Sequence, residues 1–363
     1  MLLSRRNFLI SAAALASPHA HASVEFAEVY PRPLTFPRDH GAHPDYRTEW
    51  WYLTGWLDRP RAATSIGFQI TLFRARTSID PANPSAFAAK QLVIAHAAIA
   101  DPARGRLLRD ERLARTGFGA ASAATDDTDL LLDRWRLVRS PQDGSYRAFI
   151  PARSFTLELE AKPTQPLLLQ GDAGYSRKAA AAMQSSHYYS QPQLSVNARL
   201  LDNGGAKAEQ LTGTGWLDHE WSSTLLSDDA AGWDWLGCNL DDGSALTAFS
   251  IRGRLANSAP LYAYASLRTR GGTVQTFGSR DVAFSTIGEW TSPRTRATWP
   301  IARQVRIGDR SFTTQPLMED QELDSRATTG AVYWEGASRL FEADRSVGRG
   351  YLEMTGYVAP LRL

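Results

Sequence analysis

Trp50-Trp51-Tyr52-Leu53, followed by Leu57-Asp58, and Trp233-Asp234-Trp235-Leu236, followed by Leu240-Asp241, are two versions of one pattern at a constant offset. Each precedes an alternating segment that ends in arginine, at Arg74 and Arg252. Later in each half comes an aromatic pair, Tyr188-Tyr189 and Tyr333-Trp334, and then Thr-Gly-aromatic, Thr214-Gly215-Trp216 and Thr355-Gly356-Tyr357. The repeated order predicts two similar units. The first spans residues 46–221 and the second 232–363. Residues 222–231 form the joint, and 23–45 an entry segment.

Around these two stretches the chain reads as short alternating segments, among them 65–73, 91–100, 154–160, 244–251, 261–267 and 351–357. Period-two patterning broken by Asp241-Asp242-Gly243 or Asn203-Gly204-Gly205 is hairpin chemistry. One short helix, Lys178 to Gln184, is the best helical candidate. An all-β chain of 363 residues is expected to close its sheets into barrels or sandwiches.

Residues 1–22 carry Arg5-Arg6 before Phe8-Leu9, an apolar run from Ile10 to Ala16, and Ala20-His21-Ala22, a small-x-small cleavage pattern. This predicts a signal peptide of the twin-arginine type cut near Ala22, and hence a periplasmic or secreted mature protein. The apolar run is too short to span a membrane, and no later stretch reaches spanning length, so no stable membrane insertion is expected. The whole chain has 40 basic and 38 acidic residues; loss of Arg5 and Arg6 leaves the two balanced. Nucleic acid is therefore not an expected partner. The single cysteine, Cys238, can form neither an internal disulfide nor a CxxC zinc site.

Motifs for a serine nucleophile elbow, a phosphate loop, a dinucleotide fold and a His-Glu-x-x-His metal site do not occur. His40 and His43, with Asp39 and Asp45 beside them, are a weak pointer to a metal in a segment that reads more readily as cover for a barrel mouth; no metal or cofactor is expected. In Asp218-His219-Glu220-Trp221, strand alternation puts His219 and Trp221 on one face and Asp218 and Glu220 on the other. If the first face lines an apolar cavity, His219 is placed for acid–base work; as a hydrogen-bonded structural histidine it would do no chemistry. In Trp233-Asp234-Trp235, flanking indoles would keep Asp234 protonated if it points inward, while an outward Asp234 would be solvated. Glu49 to Tyr52 with Gln69 and Arg74 reads as a ligand wall including Trp51 and Tyr52, or as a closing plug with Arg74 stacked on tryptophan; the plug is the simpler reading. His96 and His187 lie in apolar runs and read as core or rim histidines.

The segments Phe36 with Glu49 to Gly55, Gly171-Asp172-Ala173-Gly174-Tyr175-Ser176-Arg177-Lys178, Tyr188-Tyr189-Ser190, and Gly213 to Trp221 resemble the secreted AttH-type, carotenoid 1,2-hydratase-like (hydroxyneurosporene synthase) family. The resemblance implies an all-β tandem of two lipocalin-like antiparallel β-barrels. It also implies a cofactor-independent enzyme adding water to a C=C bond of a lipophilic, isoprenoid ligand. The family's His-x-Trp pair falls on His219 and Trp221. Its Tyr–Asp pair has no clean counterpart, the nearest acid being Asp234, with Asp241 poorer. On that footing Asp234 and His219 are the expected catalytic pair, and Trp221, Trp233, Trp235, Trp51 and Tyr52 the expected substrate wall. The alternative is a lipid-binding component working beside an ABC-type transporter. A hydrolase rests only on the family's loose label.

Overall fold

The computed structural model describes residues 25–60, 64–180, 183–205, 207–255 and 258–361; the expected signal peptide lies outside them. The first sheet contains β1 (Thr48–Asp58), β2 (Ile66–Arg76), β3 (Gln91–Asp101), β4 (Arg106–Arg115), β5 (Ala121–Ala123), β6 (Asp129–Leu132), β7 (Trp135–Arg139), β8 (Tyr146–Pro151), β9 (Phe155–Pro163), β10 (Leu168–Leu169), β11 (Tyr175–Arg177), β12 (Ser185–Asp202) and β13 (Glu209–Thr224). The second contains β14 (Ala230–Leu240), β15 (Ala245–Gly253), β16 (Tyr262–Arg268), β17 (Val274–Phe277), β18 (Val282–Thr291), β19 (Thr298–Ile307), β20 (Arg310–Pro316), β21 (Glu322–Ser325), β22 (Ala331–Glu342) and β23 (Arg345–Thr355). The pairings are antiparallel. The first sheet curls into a nearly closed barrel and the second into a half-barrel, a tandem lipocalin-like pair.

The duplication is visible in the strand order. The path β4-β3-β2-β1-β13-β12-β9-β8-β7 of the first sheet is repeated by β17-β16-β15-β14-β23-β22-β20-β19-β18 in the second. In each sheet a short strand also sits off this path on the next-to-last long strand, β11 on β12 and β21 on β22. The Thr-Gly-aromatic echo, however, does not mark equivalent places. Thr214 pairs with Trp56 deep in β1, whereas the Thr355 hydroxyl accepts from the backbone of Trp233 at 3.0 Å.

Outer strands follow one-sided alternation. Phe155-Thr156-Leu157-Glu158-Leu159-Glu160-Ala161 of β9 buries every second residue, as a sheet with one wet face requires. Strands β1, β2 and β14, and β13 from Gly215 to Ser222, are buried on most or all of their residues. One face of each lines a barrel interior and the other meets the opposite sheet. Trp51, Leu53, Leu72 and Leu217 fill the first barrel, and Leu236, Leu352 and Trp334 the second; Tyr52, Trp56, Trp216, Trp235 and Phe249 pack between the two. The Trp56 indole donates to the Gly350 carbonyl at 3.0 Å, and Arg349 pairs with Asp58 at 2.7 Å. Close approach demands glycine at 67: a Cβ there would lie 2.6 Å from Ala337 Cβ and 2.7 Å from the Tyr351 hydroxyl.

The expected helix at 178–184 is not found among the described residues. Lys178 donates its backbone N–H to Gln184 between β11 and β12, and its side chain is held by Glu220. Two turns of alanine-rich chain are too short to stand as a helix against such anchoring. Asp241 to Gly243 does form the β14–β15 turn, with Gly243 in the left-handed region at φ 85°. Between β13 and β14 the joint is residues 225–229.

Candidate active site between the two sheets

Alternation on the interface strands delivers the site. On β1, Trp50 and Tyr52 project away from the first barrel's core; on β14, Trp233 and Trp235 project away from the second. The two sets enclose a cavity of about 290 Å³, walled also by Phe73, Tyr188, Phe249 and Tyr333. Trp50 and Trp233, equivalent positions of the two units, stack at its rim with centroids 6.5 Å apart and planes 11° from parallel. Tyr52 meets Trp235 edge-on at 5.4 Å, and the Trp235 indole donates to the Tyr188 hydroxyl at 3.0 Å.

Into this aromatic chamber the neighbouring strands bring carboxyl groups. Tyr52 lies opposite Asp218 on β13, and its counterpart Trp235 lies opposite Glu353 on β23. Asp218 and Glu353 therefore occupy matching places on facing walls. Asp218 in turn faces Ser190, whose hydroxyl donates to it at 2.5 Å, with the Trp216 indole donating at 2.8 Å. In the second unit a glutamate replaces that serine, so Glu353 faces Glu335. Two carboxylates side by side in an apolar wall cannot both ionise cheaply. Burial pushes Asp218 up to about 7 and Glu353 up to about 8. Burial, then the charge of Glu353, raises Glu335 well above the usual carboxylate range. Glu335 Oε1 and the Tyr52 hydroxyl are buried without a hydrogen-bond partner. At neutral pH this wall holds protons.

The other end of the cavity is ionic. Lys178 Nζ lies 2.7 Å from Glu220, over the rings of Phe249 and Tyr188 at 4.3 and 4.9 Å, and Ser186 also donates to Glu220. This is the only ammonium among the described lining residues.

The residues singled out in the sequence divide between these surfaces. Tyr52, Trp233 and Trp235 line the cavity. His219, Trp221 and Trp51 are packed inside the first barrel. His219 Nε2 lies 2.9 Å from Glu49 and Nδ1 3.1 Å from the Tyr189 hydroxyl, with its ring stacked on Trp51 at 4.3 Å. Burial lowers its pKa to about 4, so it is neutral. Asp234 points into the second barrel, bound by Arg252 at 3.1 Å, Arg303 at 3.0 Å and the Tyr357 hydroxyl at 3.0 Å. The structure thus does not bring Asp234 and His219 to one cavity. Arg74 does not stack on tryptophan; it pairs with Glu49 at 2.7 Å and donates to Gln91. His96 is buried across the sheet interface, hydrogen-bonded with Tyr333 and Thr328.

Beneath the entry segment, His43 Nδ1, His219 Nε2 and the Glu49 carboxylate lie within 4.8 Å of one another, the one set of donors with metal-ligand character among the described residues. Both imidazoles already engage the same Glu49 oxygen, at 2.7 and 2.9 Å, and Arg74 holds the other. The donor set fits a closed hydrogen-bond network with its own resident cation. His40 turns away to Tyr189 at 2.8 Å.

The AttH-like family model matches residues 27–357. The chain belongs to the AttH-like family. An AttH-type structure from Nitrosomonas europaea is similar at 49% identity and a TM-score of 0.85, covering 92% of this chain and 99% of that one. Kievitone hydratase from Nectria haematococca shares the fold at 13% identity, TM-score 0.66, over 92% of this chain and 96% of that one. CghA in complex with Sch210972 does so at 11% identity, TM-score 0.59, over 94% and 97%. No curated protein matches in sequence. In this AttH-like chain two of the three acids not chosen from the sequence, Asp218, Glu335 and Glu353, had a signal: Asp218 sits on the strand face opposite His219, and Glu335 follows the second aromatic pair directly.

Proposed function

We propose that this AttH-like protein is a cofactor-independent hydratase acting on a lipophilic, isoprenoid-type alkene in the cavity between its sheets. The observation that carries this reading is the pair of matched carboxyl groups, Glu353 and Asp218, on facing aromatic walls with their proton affinities raised to different extents. Glu353, protonated at pH 7, gives its proton to one alkene carbon, so that an O–H bond breaks and a C–H bond forms. The cation left on the other carbon is faced by the π-systems of Tyr52, Trp235 and Tyr188. Water adds its oxygen there and loses a proton to Asp218, half ionised near neutrality. The proton then passes from Asp218 back to Glu353, its electrostatic neighbour. Burial, then the charges of Asp218 and Glu220, hold Glu353 in the acid form. The reverse sequence dehydrates the alcohol.

The test is incubation of acyclic isoprenoid alkenes with the purified chain in isotopically labelled water. Label uptake is expected, falling by roughly 10²-fold or more in Glu353→Gln and in Asp218→Asn, with His219→Ala and Asp234→Asn affecting stability first. Uptake unaffected by either acid variant would overturn the assignment. A binding-only protein is the second reading, favoured by the fact that no imidazole is among the described residues lining the cavity; stoichiometric bound lipid with no label uptake would decide for it. The Arg5-Arg6 leader supports action in the periplasm.

A further inference from the structure

The cavity has more acids than bases. Asp218, Glu220, Glu335 and Glu353 line it, against Lys178 and the Arg74 already held by Glu49. Glu220 has its cation in Lys178. Among the described residues no lysine or arginine forms an ion pair with Asp218, Glu335 or Glu353, and Glu335, 3% exposed, presents an oxygen with no partner. The protein itself shows what such walls hold. At the first end, carboxylate and aromatic faces together seat an ammonium, that of Lys178 between Glu220, Phe249 and Tyr188. The second end offers Glu335 and Glu353 with Tyr52, Trp235 and Tyr333 but supplies no cation of its own. Rings plus a desolvated carboxylate are the recognition chemistry of organic ammonium groups.

We propose that the interdomain cavity binds a lipophilic organic cation, an ammonium head on an apolar chain, with the head seated at Glu335 and Glu353 and the chain along Trp50, Trp233 and Phe73. The inference uses the cavity's shape and charge, not the hydration chemistry, and its test involves no turnover, so either reading can fail alone. Binding ionises one of the two carboxyl groups that burial otherwise keeps protonated, so a proton leaves as the cation enters. The charged and titratable neighbours of that pair are Tyr52, Tyr333, Tyr351, Asp218 and Glu220.

Isothermal titration of the purified chain with octyltrimethylammonium and with 1-octanol tests this. At pH 7 the cation should bind about tenfold tighter or better, equivalent to ~1.4 kcal/mol. Its apparent enthalpy should differ between phosphate and Tris buffers by the heat of about one released proton. In Glu335→Gln/Glu353→Gln the preference should vanish while octanol still binds. Should that variant fail to fold, the wild type serves: its preference should shrink steadily as pH is lowered from 8 to 5. Equal or tighter octanol binding, a preference surviving in the double variant, or one independent of pH would overturn the proposal.

Discussion

Replacing Glu353 by glutamine should stabilise the protein, and the gain should grow with pH. Glu353 sits in the second sheet facing Glu335 and the aromatic cavity, and burial moves its titration from 4.5 to about 8. The folded state thus keeps a proton that the unfolded state releases above pH 4.5. Because the folded form binds more protons in this window, stability conferred by the acid form is complete below 4.5 and is lost progressively as pH rises toward 8. At ~1.36 kcal/mol for each pH unit between 4.5 and 7, the loss reaches about 3 kcal/mol at neutrality. Glutamine keeps the shape and a hydrogen-bonding head without the ionisation. Urea unfolding of wild type and Glu353→Gln at pH 5 and pH 8 would show near-equal midpoints at the lower pH and a variant more stable by about 4 kcal/mol at the higher, with equal m-values. A variant less stable at pH 8, or a difference that does not change with pH, would refute the claim that this carboxyl is held protonated.

Asp234→Asn should cost about 3–5 kcal/mol in urea unfolding, since it leaves Arg252 and Arg303 without their buried counter-charge; a near-neutral effect would mean the second barrel does not depend on that cluster. His219→Ala should destabilise by about 2–4 kcal/mol by emptying packed space against Trp51 and removing a partner of Glu49, and cavity ligand affinity measured at permissive temperature should stay within a factor of two to three. Gly67→Ala should cost about 1–3 kcal/mol, because its methyl would press on Ala337 and Tyr351 across the interface, and tryptophan fluorescence should report the altered packing around Trp56.

Much of the fold is legible in the residues. The strands at 66–76, 91–101 and 245–253 lie within a residue or three of the alternating runs that announce them, because one-sided burial writes period two into the chain. The paired tryptophan stretches identify β1 and β14, the first strands of two sheets with one topology. The site was less legible. Alternation correctly separates His219 from Asp218, but which face looks onto a barrel core and which onto a second sheet is a tertiary fact. The first face proved to be filled by Trp51, Trp221 and His43, and the second holds the open space. Asp234 reads as a tunable acid from its indole neighbours, yet those indoles lie on the opposite face of β14, and its real environment, Arg252 and Arg303, comes from 18 and 69 residues away. Glu335 and Glu353 become partners only through the β22–β23 register. The echo at 214–216 and 355–357 arose from similar strand composition rather than equivalent position.

Carboxyl groups facing this cavity carry protons at neutral pH. Infrared difference spectroscopy reads that state through the carbonyl stretch of a protonated carboxyl. Wild-type protein at pH 7 should show buried –COOH absorption, part of which titrates away near pH 8 and most of which is lost in the Glu335→Gln/Glu353→Gln protein, leaving the share of Asp218. A spectrum with no protonated carboxyl at pH 7, or a band unchanged by those substitutions, would contradict the account.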